Sequence, residues 1–130
     1  MLGIVVAAHG GLAQGFAEAI ELIIGVQEQM EFVNLQPGMS PEDLKNILMT
    51  AVKAVDTGDG SLIAVDLFGG TPCNVALTIT AEVEAVCLTG VNLGILLEAI
   101  GIRDNGADPQ EIAEKLVEVG KEGIQQLKIS

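Results

Sequence analysis

No tryptophan or tyrosine occurs in this 130-residue chain, and only Phe16, Phe32 and Phe68 supply aromatic rings. Base stacking needs aromatic platforms and phosphate backbones need cations, whereas six Lys and Arg against eighteen Asp and Glu leave a net charge of −12. These shortages exclude nucleic acid as a ligand class. Cysteine is as sparse: Cys73 and Cys87 form no CxxC pair and have no neighbouring histidines, so no metal site or redox motif is expected. Both read as reduced thiols. No apolar run reaches the roughly 18 residues of a membrane span, and the N-terminal run lacks the basic start of a signal peptide. The chain is therefore expected in the cytoplasm without membrane insertion, its acidic surface suited to steering a basic protein partner.

What is present is aliphatic. Hydrophobic residues make up 49% of the chain, almost all Ala, Val, Ile and Leu, which suits helices packed on a buried sheet. A length of 130 residues predicts one domain over 1–130. Leu2 to Ala8 reads as a strand covered on both faces and ends at His9. Leu12, Phe16, Ile20, Ile23 and Ile24 follow at helical spacing, and Gly25 is a natural stop. Met30 to Leu35 is a second strand. The segment SPEDLKNILMTAVKAV then predicts a helix capped by Ser40, with Pro41 in the first position and Leu44, Ile47, Leu48, Ala51, Val52 and Val55 on one face.

Ser61 to Val65 is a third strand, ending at Asp66; Thr71 and Pro72 read as cap and first turn of the next helix. Ala85 to Leu88 is a fourth strand, and Asn92 caps a helix through Leu96, Leu97 and Ile100. A last helix starts at DPQE with Asp108 as cap and Glu111 placed to close a capping box. The final GIQQLKIS admits either more helix or a short edge strand. The alternation predicts an α/β three-layer sandwich with a mainly parallel sheet, for which the common order 2-1-3-4 is expected, with a possible antiparallel edge strand from the C-terminus.

In such a sheet the carboxyl ends of the strands share one edge, and a ligand crevice forms where the strand order reverses. His9, the sole histidine, closes the first strand and Asp66 follows the third, so the two come within side-chain reach. In DLFGGTPCN, Gly69 and Gly70 can turn backbone N–H groups toward an anion, and Thr71 adds a hydroxyl beside a positive helix end. Gly10 and Gly11 offer the same after His9. Each feature alone has a bland reading as packing or a turn; their meeting at one edge does not.

Neither glycine loop matches a P-loop or a dinucleotide fingerprint, and no Ser-His-Asp arrangement can be assembled. A histidine held by a carboxylate at Nδ1, with Nε2 facing backbone donors, suits accepting a phosphoryl group and passing it on. Asp66 would fix the tautomer, and loop amides would hold the phosphoryl oxygens. No metal, nucleotide or other cofactor is needed when the donor is itself a phosphohistidine.

The set AHGGLAQG, LIIGVQE, DLFGGTPCN and VCLTGVNLGILLEA resembles, over essentially the whole chain, the IIA component of the mannose family of the bacterial phosphoenolpyruvate-dependent sugar phosphotransferase system (PTS). The resemblance implies a phosphocarrier that takes a phosphoryl group from phospho-HPr and hands it to a histidine of EIIB, for uptake through membrane EIIC and EIID. It places the phosphorylated histidine at His9, the orienting aspartate at Asp66 and the hydroxyl position at Thr71. It also implies a homodimer that exchanges an edge strand, for which GIQQLKIS would serve.

Where relatives often carry a hydroxyl residue before the histidine, this chain has Ala8. EIIB activity, joined to EIIA in some relatives, is expected in another protein. Leu67 and Phe68, beside the site, form a candidate docking surface for HPr or EIIB. The alternatives are the phosphocarrier subunit of a PTS-dependent dihydroxyacetone kinase, and an anion-binding regulatory module without chemistry.

Overall fold

A computed structural model describes residues 1–104 and 106–130. Its elements run β1 (Gly3–His9), α1 (Leu12–Ile24), β2 (Met30–Leu35), α2 (Pro41–Val55), β3 (Ser61–Val65), α3 (Thr71–Thr80), β4 (Ala85–Leu88), α4 (Leu93–Ile102) and α5 (Pro109–Gly123). The four strands are all parallel, in the order β2-β1-β3-β4. β1 and β3 hold the centre, and every residue of β3 is buried.

Strand alternation divides the core into two layers. Ile4, Val6, Ala8, Leu62 and Ala64 face α1, α4 and α5, whereas Val5, Ala7, Ile63 and Val65 face α2 and α3. The chain steps from β1 to β2 in one direction and then from β2 across to β3 and β4 in the other. A constant crossover hand therefore places α1 on one face and α2 with α3 on the opposite face. The reversal falls between β1 and β3, and the three-layer architecture follows.

Local chemistry sets the helix starts. Ser40 Oγ accepts from the Asp43 N–H at 3.0 Å while the Asp43 carboxylate accepts from the Ser40 N–H at 3.1 Å, a reciprocal box worth about 1 kcal/mol. Leu44, Leu48, Val52 and Val55 of α2 are fully buried, each contributing roughly 1.5 to 3 kcal/mol of transfer free energy. Asn92 Oδ1 accepts from the Ile95 N–H at 2.9 Å to open α4.

Four sequence expectations are corrected. Gly70 rather than Thr71 is the cap of α3, so Thr71 already lies in the helix and Pro72 stands second. Asp108 accepts from the Gln110 N–H at 3.3 Å, and Glu111 closes no capping box; the Gln110 amide, not the Glu111 amide, takes the carboxylate. Ile23, Ile24 and Ile47 lie at the margins of their helical stripes and remain exposed. The C-terminal segment 124–130 is neither helix nor strand: α5 ends at Gly123, and no fifth, antiparallel strand joins the sheet among the described residues. With Gln125, Gln126 and Lys128 among its three apolar residues, the segment gains too little from packing on its own chain to order as either element.

Candidate functional site

β1 and β3 pair with Ala7 opposite Val65, so the next residues, at the carboxyl ends of two central neighbouring strands, emerge side by side. Asp66 Oδ2 accepts two hydrogen bonds from His9, from the backbone N–H at 2.9 Å and from ring Nδ1 at 2.9 Å. Its other oxygen accepts from the Leu67 N–H at 3.0 Å. A carboxylate with only acceptors to offer places the ring hydrogen on Nδ1, which leaves the Nε2 lone pair free in the neutral imidazole.

The ring is anchored at one nitrogen and open at the other. The His9 side chain is 44% exposed while that of Asp66 is only 10% exposed, so the carboxylate is largely shielded and the ring is half open to solvent. Burial pushes the Asp66 carboxyl upward, but the His9 backbone bond, the ring bond and its charge, and the backbone donor of the Asp66 turn together outweigh it. Its pKa ends below the ordinary aspartate value.

The glycine loops play unequal parts. The Gly10 N–H donates to the Leu35 carbonyl at 3.0 Å, so this amide ties the turn to β2 instead of facing a ligand. Gly11 is the cap of α1, and the amides of Leu12 and Ala13 that follow have no intrahelical partner by their position. Gly69 and Gly70 lead into α3, where Thr71 presents its hydroxyl from the first position. Pro72 carries no N–H, so Thr71 and Cys73 supply the free amides of that turn. Leu67 and Phe68 project outward beside the site, 59% and 87% exposed.

Two asparagines belong to the same edge and were not singled out from sequence. Asn34, opposite Ala8 in the register, accepts the Gln14 N–H at 3.2 Å and so caps α1 from β2. Asn74 donates from Nδ2 to the Gly69 carbonyl at 3.4 Å and braces the loop after β3. A lone amide near the end of the strand MEFVNL, whose one other polar residue is Glu31, was the available signal for the first.

Three hydrogen bonds on one carboxylate, an imidazole nitrogen without a hydrogen-bond partner among the described residues and two helix starts thus meet at one candidate site. A family model described as the PTS system fructose IIA component, EIIA-man, matches residues 3–117. The chain belongs to this family. It is 32% identical over 128 residues to the mannose-specific EIIAB component of Escherichia coli, which covers 98% of this chain but 40% of that protein. The chain thus spans less than half the length of those EIIAB relatives.

It is also 30% identical over 106 residues to the fructose-specific EIIA component of Bacillus subtilis, covering 81% of this chain and 73% of that one. Among solved structures, the EIIA component from Streptococcus agalactiae matches with a TM-score of 0.89 at 32% identity over 97% of each chain. None of this chain's described helices is long and apolar enough to cross a membrane.

Proposed function

We propose that residues 1–130 act as one EIIA unit, a phosphotransferase that works through a transient phosphohistidine at His9 in the cytoplasm. The observation that carries this reading is the double hold of Asp66 Oδ2 on the His9 amide and Nδ1, which leaves Nε2 as the ring's free nitrogen. As the donor's phosphorus–nitrogen bond breaks, the Nε2–phosphorus bond forms, and the Nδ1 hydrogen stays on the bond to Asp66. The carboxylate offsets the positive charge the ring acquires, which is electrostatic stabilisation by a group already in place. Gly11, Gly69, Gly70 and Thr71 surround the phosphoryl oxygens, with Gly10 shaping the turn.

The donor is phospho-HPr and the acceptor a histidine of EIIB, which serves sugar uptake through EIIC and EIID. Leu67 and Phe68 supply the apolar contact for these partners, because they are exposed beside the reacting nitrogen. The working unit is a homodimer. Support comes from the unpaired outer edge of β4, where a groove of about 450 Å³ is lined by Leu77, Ala85, Cys87, Gln110, Ala113 and Val117. The segment after α5 carries exposed Ile124, Leu127 and Ile129, and a second copy's segment can add there as a strand.

Incubation with phosphoenolpyruvate, enzyme I and HPr, followed by intact mass spectrometry, tests the chemistry. Wild type gains one acid-labile phosphoryl group, and His9→Ala gains none. An unmodified wild type beside fully phosphorylated HPr would overturn the phosphocarrier reading in favour of an anion-binding module.

A further inference from the structure

The loop after β3 contains two glycines with different reasons to be glycine. Gly69 has φ +82°, a left-handed conformation that L side chains avoid, and nothing lies within 4 Å of where its Cβ would be. Gly70 has φ −76° and ψ 172°, ordinary extended backbone that any residue adopts. Its glycine is therefore not demanded by the chain's own conformation. Space demands it instead: a Cβ at position 70 would lie 3.0 Å from His9 Cε1 and 3.7 Å from His9 Nε2.

Neither side of that contact can retreat freely. The imidazole is fixed at Nδ1 by a 2.9 Å bond to a carboxylate that is itself held by the amides of His9 and Leu67. Behind position 70, the same Cβ would meet Leu67 Cβ at 3.7 Å. Asn74 holds the Gly69 carbonyl and the Asn74 N–H donates to the Gly70 carbonyl at 3.0 Å, so the loop is tied to α3.

We infer that Gly70 is a positioning residue whose missing side chain keeps the Cε1–Nε2 edge of His9 open to an incoming electrophile. The inference deepens the phosphocarrier reading and rests on it for the identity of the electrophile, a phosphoryl group carried by a partner's histidine. In-line attack brings phosphorus along the Nε2 lone pair with three oxygens spread around it. A methyl group in van der Waals contact with Nε2 occupies the space of one of those oxygens, or tilts the ring off Asp66. Either displacement misaligns attack.

The test compares wild type, Gly70→Ala and Gly70→Val, with Gly15→Ala as a control, since Gly15 has open space around its Cβ and lies outside the site. Two electrophiles are used. Diethyl pyrocarbonate acylates the free imidazole nitrogen, and with His9 the only histidine the ultraviolet absorbance of the carbethoxy ring reports on it alone. Phospho-HPr supplies the second. Gly70→Ala is expected to slow phosphoryl gain on the order of tenfold to a hundredfold, as a misplacement approaching an ångström does. It should slow carbethoxylation several-fold and keep the wild-type melting temperature, with larger effects for valine and none for Gly15→Ala.

Wild-type rates of carbethoxylation in both Gly70 variants would overturn the inference. If wild type is acylated but never phosphorylated, the phosphocarrier reading fails while the acylation contrast still decides the part played by Gly70. Should a Gly70 variant lose stability, the His9 Cε1–H chemical shift in its folded fraction decides: a ring moved from its wild-type position supports the inference, and an unmoved ring with wild-type acylation sinks it.

Discussion

Asp66 accepts three hydrogen bonds on two oxygens, all from donors that would be left facing one another if either oxygen became an amide nitrogen. Asp66→Asn therefore does more than remove a charge. Its NH2 must face a backbone N–H on one side, and the neutral oxygen no longer offsets a cationic ring. We expect phosphoryl transfer to fall on the order of a hundredfold, measured as the initial rate from phospho-HPr. The same carboxylate ties stability to pH, because its folded pKa lies below 3.8, the ordinary aspartate value. A depressed carboxylate contributes stability that is present above the unfolded value and is lost as pH falls through the folded one. Urea denaturation across the acid range should thus show wild type losing part of its advantage over Asp66→Asn below about pH 4.

Between elements, the most consequential contact outside the site is made by Arg103 at the end of α4. It is 3% exposed, and its guanidinium donates to the Gln29 carbonyl at 3.1 Å and the Glu28 carbonyl at 2.6 Å, while its own carbonyl accepts the Leu2 N–H at 3.1 Å. One residue thereby joins the approach to β2, the start of β1 and the end of α4. Burial lowers the Arg103 pKa from its ordinary value, opposed by Asp104 and Glu28, yet the group stays charged at any working pH. Arg103→Ala leaves two carbonyls without their charged donor and should lower unfolding free energy by about 2 to 4 kcal/mol, read by urea titration, without changing His9 acylation. β1 is 7 residues long, with this latch at its start and the candidate site at its end, so the two are separable.

At the scale of the whole molecule, a sheet of four parallel strands has two open edges; the β4 edge is flanked by a groove lined by Leu77, Ala85, Cys87 and Val117, and the tail after α5 carries unburied isoleucines and a leucine. If the dimer forms by strand addition there, removing residues 124–130 should shift the sedimentation coefficient from dimer to monomer. The circular dichroism of the α/β body should remain. A truncated chain that still sediments as a dimer would place the interface elsewhere. The net charge of −12 makes self-association between like-charged copies weaken at low salt, so the dimer should tighten as salt screens the repulsion.

Much of this protein is legible from short stretches of sequence. The apolar runs at 2–8, 30–35, 61–65 and 85–88, the Ser40–Pro41 start and the Asn92 cap all act over a few residues, and they predict elements whose bounds the structure matches closely. Alternation and crossover hand point to a parallel sheet, and the 2-1-3-4 order is the common one for such a sheet, which brings His9 and Asp66 together. Other features depend on register and on which atom reaches another across elements. The single Asp66 oxygen that takes both His9 donors, the Gly10 amide engaged by Leu35, the Asn34 cap on α1 and the Gly70 contact with the ring are set by strand pairing, not by neighbours in the chain. Local signals specify elements because propensity and capping reach one helical turn. The distances that make chemistry arise only when separate strands end side by side.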